Sequence, residues 1–249
     1  MDAEDASARD AAETAAALAT IASSGWLAGC PQAFVDAVGA HATLRSLPRG
    51  EVVYRAGDPG DGVFGVVGGA VLFSVDHDDV VARSAELATP GNWFGDVGAF
   101  GRSPRAATAR ARTKTRLLVL SNAAIEAITA ARPEHWRHFA TLAAINHARV
   151  LRASWHFLAR SPVARVATKL ANLVEDGAGE VPTTQSELAQ MTGLSRNRVN
   201  AALRELEATG AIRAAYGRIA VVHPDRLRTA ARRAAQGDPN GDGSPAPAG

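Results

Sequence analysis

Between residues 42 and 120 the hydrophobic positions come in short runs interrupted by glycine, proline and aspartate. The runs at 43–47, 51–54, 63–67, 71–75, 80–87 and 116–120 have the length and β-branched content of strands. Turn residues separate them: Gly57-Asp58-Pro59-Gly60-Asp61-Gly62, then Gly68-Gly69 and Pro90-Gly91. Short strands at about ten-residue spacing predict a β-sandwich or small barrel. From 122 onward the period becomes helical. Ser121 or Asn122 can cap a short helix, and Pro133 stands near the first turn of a long one running to about Arg160. Along that helix Trp136, Phe139, Ala143, Asn146, Val150, Ala153 and Phe157 alternate spacings of three and four, a coiled-coil seam with Asn146 as its register-setting polar residue. Pro162 then starts a helix over 163–174, and the Gly- and acid-rich 175–182 reads as a surface turn.

The resulting division is an Ala-rich, frayed N-terminal segment over 1–30, a roll over 31–132, a dimerisation helix over 133–160, a last domain over 161–235 and a disordered tail over 236–249. A chain of 249 residues, 47% hydrophobic and 21% charged, suits two cores and is neither collagenous nor mostly disordered. It has no 18-residue apolar run to span a membrane. Cys30 is the single cysteine, so no internal disulfide forms, and one thiol cannot by itself hold an iron–sulfur cluster or a structural zinc. Asp2, Glu4, Asp5, Asp10 and Glu13 surround the apolar start where a secretory signal would carry basic residues; a cytoplasmic protein is expected.

The net charge is only +2, but it is unevenly spread: residues 190–233 hold nine arginines against Glu205, Glu207 and Asp225, a local charge of +6. An anionic partner would bind there. Thr184-Gln185-Ser186-Glu187 is a capping box, Leu188 and Met191 give the helix it opens an inner face, Gly193 permits a tight turn, and Ser195 caps a second helix. Two short helices so joined are a helix-turn-helix. In the second, Val199, Leu203 and Leu206 face inward, while Asn197, Asn200, Ala201 and Arg204 face outward with Arg196 and Arg198 in the first turn. Arginine forks onto guanine and asparagine onto adenine, so double-stranded DNA is the expected partner. Segments 212–215 and 218–222 form a wing around Tyr216-Gly217, adding Arg218; Thr184, Gln185 and Ser186 complete the contact set.

A second site lies at Phe94-Gly95-Asp96-Val97, followed by Ser103-Pro104-Arg105-Ala106-Ala107-Thr108. Gly95 lets backbone amides approach an anion, Arg105 can fork onto a phosphate, and Asp96 can accept a ribose hydroxyl. In this order of parts, over about residues 35–230, the chain resembles the Crp/Fnr family of bacterial transcription regulators. The resemblance is carried by Gly57-Asp58, Gly69, the block from Phe94 to Arg105, and Leu188-Ala189 through Ser195-Arg196 to Leu203. The run from Pro104 to Thr108 also looks like the phosphate-binding cassette of cyclic-AMP-dependent kinase regulatory subunits. The resemblance implies an α+β fold: a cyclic-nucleotide-binding β-roll of jelly-roll type, a long dimerisation helix and a C-terminal winged helix-turn-helix. It further implies a homodimer on a pseudo-palindromic operator, RNA polymerase as a partner, and cyclic AMP or cyclic GMP held by Phe94, Gly95, Asp96, Val97, Arg105, Ala106 and Ala107.

The family's nucleotide binders usually have Glu where this chain has Asp96, and Ala106 stands where Ser or Thr often adds a phosphate contact; Ala there resembles the cyclic-AMP-preferring cassette. The long helix has no Thr-Ser pair to read a purine, leaving Asn146, His147 and Arg149 as the nearest polar residues. The alternative is a Crp/Fnr-type pocket that has lost its nucleotide and answers another effector or none. In the recognition helix Asn197 replaces a frequent Glu and Ala201 a frequent Arg, implying a different operator. An enzyme reading would need metal ligands on the strands, as in cupins, yet 42–120 contains only His77, and His135 and His138 fall outside it. No enzyme activity, metal or iron–sulfur cluster is expected.

Overall fold

The computed structural model describes residues 3–74, 85–155, 161–174 and 179–233, and the chain divides into two compact units, Met1–Val150 and Leu151–Gly249. The tail and the seam position Phe157 lie outside the described residues.

In the first unit the elements are α1 (Ala3–Ala22), α2 (Gly25–Ala28), α3 (Gln32–His41), β1 (Thr43–Leu47), β2 (Val52–Tyr54), β3 (Gly62–Gly68), β4 (Val71–Ser74), β5 (Ala85–Ala88), β6 (Trp93–Phe94), α4 (Asp96–Gly101), β7 (Thr108–Ala111), β8 (Thr115–Ser121), α5 (Asn122–Ala131) and α6 (Trp136–Trp155), which a short 3-10 turn at Pro133–His135 precedes. The strands form two antiparallel sheets, β1-β8-β3-β6 and β2-β7-β4-β5. Side chains alternate across a strand, and β3 and β8 show the consequence. Phe64, Val66 and Leu117 join Leu47, Val53, Val71, Phe94, Ala109 and Ala111 in the roll interior. Their neighbours Val63, Val67, Leu118 and Leu120 point the other way, into a second core shared with helices. Ser121 is the residue that caps α5, its hydroxyl accepting from Ala124 N at 3.2 Å.

The helical side of that second core corrects two sequence-based expectations. The stretch 1–30 reads as a frayed appendage, yet Ala17, Leu18, Ile21, Trp26 and Leu27 are buried against the sheet, and Trp26 Nε1 donates to the His138 carbonyl at 2.7 Å. Phe139, assigned to a seam, is fully buried among Trp26, Phe34 and Trp93 of its own roll. Asn146, the expected register residue, donates to Trp93 O at 3.0 Å and Asp96 Oδ1 at 2.7 Å within the same chain. Of the seam positions the roll therefore takes up Phe139 and Asn146, whereas Trp136 and Val150 stay exposed. Phe139→Ala is therefore expected to lower the stability of the protein by about 3–5 kcal/mol, as for other buried phenylalanines, measured by urea unfolding. A dimer-interface role would instead show as dissociation with the midpoint preserved.

Other strands follow the expected runs within a residue or two, except that the run expected at 80–87 appears as β5 at Ala85–Ala88, with 75–84 outside the described residues. Between the expected runs at 80–87 and 116–120 the structure adds β6, α4 and β7, which carry the expected pocket segment.

The second unit comprises α7 (Pro162–Leu173), β9 (Gly179–Val181), α8 (Gln185–Thr192), α9 (Arg196–Ala208), β10 (Ile212–Ala215), β11 (Arg218–Val221) and α10 (Pro224–Arg233). Ser161 caps α7 with Pro162 in its first turn. Part of the expected surface turn is strand: β9 pairs with β11, Val181 opposite Ile219, and extends the wing to the order β10-β11-β9. Burial of Val181 and Ile219 supplies the reason. Leu188, Met191, Val199, Ala202, Leu203 and Leu206 face inward with Leu170, Ile212 and Leu227, all buried.

Candidate functional site

In the first unit the site forms where the 57–62 turn meets the β6–α4 junction. Gly95 ends β6 with φ +95°, and a Cβ placed there would fall 2.9 Å from both Arg105 Nη1 and Gly62 O, so only glycine fits this close approach. The Gly57-Asp58 turn holds the backbone of Arg105: Gly57 N donates to Arg105 O at 2.9 Å and Arg105 N to Asp58 O at 2.8 Å. Asp58 in turn accepts from Arg55 N at 2.7 Å. Gly60 lies against Gly98, whose backbone a Cβ on Gly60 would strike. Asn122 pins the same turn, with Nδ2 donating to Gly60 O at 2.6 Å and N to Asp61 O at 2.9 Å.

The Arg105 side chain is buried. Its Nη1 donates to Gly95 O at 2.8 Å, and Nη2 to Gly62 O at 2.9 Å and Asp61 Oδ1 at 2.5 Å. The guanidinium stacks on the Tyr54 ring at 4.3 Å, while Nε is buried with no hydrogen-bond partner among the described residues. Asp96 is also buried and receives the Asn146 amide. Burial pushes its carboxyl above the usual carboxylate range, against the hydrogen bond from Asn146, the amides of Asp96 and Val97, and the charge of Arg105. Burial foremost pushes the Tyr54 phenol up to about 12, with Arg105 opposing and Asp96 and Asp61 adding to the rise.

Of the expected pocket residues, Gly95, Asp96 and Arg105 converge. Phe94 belongs to the roll interior, stacked on Phe64 at 5.4 Å between ring centroids. Val97 points to solvent, 67% exposed, and Ala106 is exposed too, with Ala107 half-buried. Sequence reasoning missed Tyr54 and Asp61; it gave Asn146 both as a seam residue and as a polar candidate for the pocket, and the structure sets it on Asp96. Among the described residues no group of three or more His, Cys, Asp or Glu could hold a metal ion.

Asp96 yields a pH prediction. Its folded-state pKa lies above the unfolded value, so the folded protein holds this proton more tightly and loses stability as pH rises through the ordinary carboxylate range to the folded value. Asp96→Asn is expected to raise the melting temperature at neutral pH, with the gain vanishing below about pH 3, where the carboxyl is protonated in both states. Melting curves at the two pH values check this.

In the second unit the capping box is present. Thr184 Oγ1 accepts from Glu187 N at 3.2 Å and Glu187 Oε2 from Thr184 N at 2.7 Å. Gly193 ends α8 in the left-handed region at φ +65°, and Ser195 caps α9 by accepting from Arg198 N. The polar surface of α9 carries Arg196, Asn197, Arg198 and Arg204, all exposed. Asn200 is half-buried, and its Oδ1 is buried without a partner among the described residues. Thr184, Gln185, Ser186 and Arg196 line a hollow of about 510 Å³ closed by the wing residues Ala214 to Gly217. Arg218 pairs with Glu180 at 3.7 Å, both exposed. Tyr216, at the wing tip, is fully exposed and was not among the expected contacts.

Two domain families match the chain. The cyclic nucleotide-binding domain matches residues 44–132 and the Crp-like helix-turn-helix domain residues 164–230. The CRP-like cAMP-activated global transcriptional regulator of Mycobacterium tuberculosis is 28% identical over 194 residues, covering 75% of this chain and 87% of that one. A CRP/FNR-family transcriptional regulator of Thermus thermophilus superposes with a TM-score of 0.59 at 26% identity, over 76% of this chain and 97% of its own. FixK2 of Bradyrhizobium japonicum has a TM-score of 0.64 at 22% identity, over 76% and 96%, and shares the fold. Fold and sites thus define a transcription regulator built from a cyclic nucleotide-binding domain and a DNA-binding helix-turn-helix. The chain belongs to the Crp/Fnr family. Among the described residues no helix is long and apolar enough to cross a membrane.

Proposed function

We propose that the protein is a cytoplasmic, homodimeric, sequence-specific regulator whose roll senses a cyclic nucleotide, cyclic AMP ahead of cyclic GMP, and which acts by binding rather than catalysis. The observation that carries the effector reading is the buried Arg105 Nε with no acceptor among the described residues. A buried donor left unpaired is costly, and a phosphate oxygen would satisfy it. Arg105 would hold the phosphate and Asp96 the ribose hydroxyl, with Gly95 allowing the close approach. Ala106 favours cyclic AMP through its likeness to the kinase cassette.

For the dimer, the exposed side of α6 offers Trp136, Ala140, His147 and Val150, spaced as one helical stripe, with Trp136 47% and Val150 67% exposed. Light scattering tests it: a monomer at micromolar concentration would remove the dimer. Two recognition helices would then read half-sites about 34 Å apart. Activation would require contact with RNA polymerase. Pocket occupancy biases this dimer only through different affinities for its two states.

Calorimetric titration of the full chain with cyclic AMP and cyclic GMP tests the effector. Saturable heat, stronger for cyclic AMP, supports the proposal. One observation favours the alternative of another effector or none: Arg105 and Asp96 already bond within the chain, to Asp61 and Asn146. Absence of heat with either nucleotide, from folded protein, would select it.

A further inference from the structure

Arg105 and Asp61 form an unequal ion pair: the arginine side chain is 2% exposed and the aspartate 74%, joined at 2.5 Å. The cation is fixed by the two backbone carbonyls of Gly62 and Gly95 and by the Tyr54 ring, whereas nothing but this bond holds the carboxylate in place among the contacts just described. In a guanidinium, Nε–H and one Nη2–H lie along a single edge, the edge that grips an oxyanion as a fork. Here Nε–H is open, but both Nη2 hydrogens are taken, by Gly62 O and Asp61. Gly62 cannot yield. It pairs with Ser121 in the sheet, and a Cβ on it would fall 2.5 Å from Leu120 O. Asp61 can, because Asn122 pins the main chain on either side of it and exchange asks only for side-chain rotation into water.

We propose that Asp61 occupies the phosphate seat of the effector-free pocket as an internal counter-ion, and that the effector's phosphate must displace it, so that Asp61 sets effector affinity. The proposal rests on the reading of Arg105 as the phosphate ligand. A phosphodiester and Asp61 together would set two anions on one guanidinium in a buried site, where like charges repel strongly. Displaced, Asp61 keeps its charge in solvent that already surrounds most of it.

The test compares the full-length protein with Asp61→Asn, which keeps a hydrogen-bond acceptor for Nη2 and loses the charge, and with Asp61→Glu, which keeps the charge. Titration with cyclic AMP is expected to give about tenfold tighter binding in Asp61→Asn, within the usual range of coupling between linked binding events, and no gain in Asp61→Glu. In parallel, millimolar inorganic phosphate is expected to raise the melting temperature of Asp61→Asn more than that of the unaltered protein. Unchanged or weaker cyclic AMP binding in Asp61→Asn would overturn the proposal and make Asp61 a support that orients Arg105. If no variant gives heat with cyclic nucleotides, the nucleotide reading fails and the phosphate arm decides. A larger phosphate shift in Asp61→Asn then keeps Asp61 as the occupant of an anion seat; equal shifts overturn it.

Discussion

Replacing Arg105 with alanine is expected to abolish the response to a cyclic nucleotide and, in the same variant, to remove about 1–3 kcal/mol of stability. From sequence alone the substitution would leave the fold intact, since a ligand-binding arginine is normally free before its ligand arrives. The structure gives Arg105 a second task. Its guanidinium ties Gly62 O on β3 to Gly95 O at the β6–α4 junction, and its backbone ties both to the Gly57-Asp58 turn. Alanine leaves Gly62 O facing a void, while Gly95 O keeps the bond it accepts from Ala99 N at 3.1 Å; an unsatisfied buried group costs about 1–3 kcal/mol. Loss of the Asp61 pair adds little, because that carboxylate is 74% exposed and rehydrates. Urea unfolding beside calorimetric titration separates the two effects. Arg105→Lys, which retains a charge but not the fork, is expected to recover part of the stability and not the binding. Stability equal to the unaltered protein in Arg105→Ala would show that Gly62 O finds water and that the arginine is a ligand group alone.

How much of this was readable beforehand depended on the range of the interaction responsible. The helix-turn-helix was legible almost residue by residue, since the capping box of Thr184 and Glu187, the left-handed Gly193 and the Ser195 cap are bonds made within a few positions of one another. The runs that form β3 and β8 were legible as strands for the same reason. The two-residue β6 and the three-residue β9 carry too little pattern to announce themselves and exist because β3 and β11 offer them an edge. The stripe through Phe139 and Asn146 named a buried face of α6, but a period of three and four is the same whether a sister helix or the chain's own sheet covers it. Asp61 illustrates the hardest case. It sits in a run of glycine, proline and aspartate that reads as turn chemistry, and its partner lies 44 positions away. No local signal links them.

In the second unit the largest expected effect is on discrimination among DNA sequences. Arg196 stands in the first turn of α9, exposed, in a hollow shared with Thr184, Gln185 and Ser186 on one side and Ala214 to Gly217 of the wing on the other. Among the described residues no carboxylate pairs with it, so its fork is available, unlike that of Arg218, which meets Glu180 at 3.7 Å. A bidentate arginine–guanine contact contributes about 1–3 kcal/mol against the wrong base. Arg196→Ala is therefore expected to lose that much affinity for a selected operator while binding to scrambled duplex changes far less. Arg218→Ala is expected to weaken both equally and to reduce the salt slope by about one, the behaviour of a phosphate contact. Fluorescence anisotropy on both duplexes at several salt concentrations measures the two quantities together. A loss for Arg196→Ala that is the same on every sequence would place this arginine on the backbone. Reading of base edges would then fall to Asn197, Asn200 and Arg204, and the unpaired Asn200 Oδ1 makes that residue the next to change.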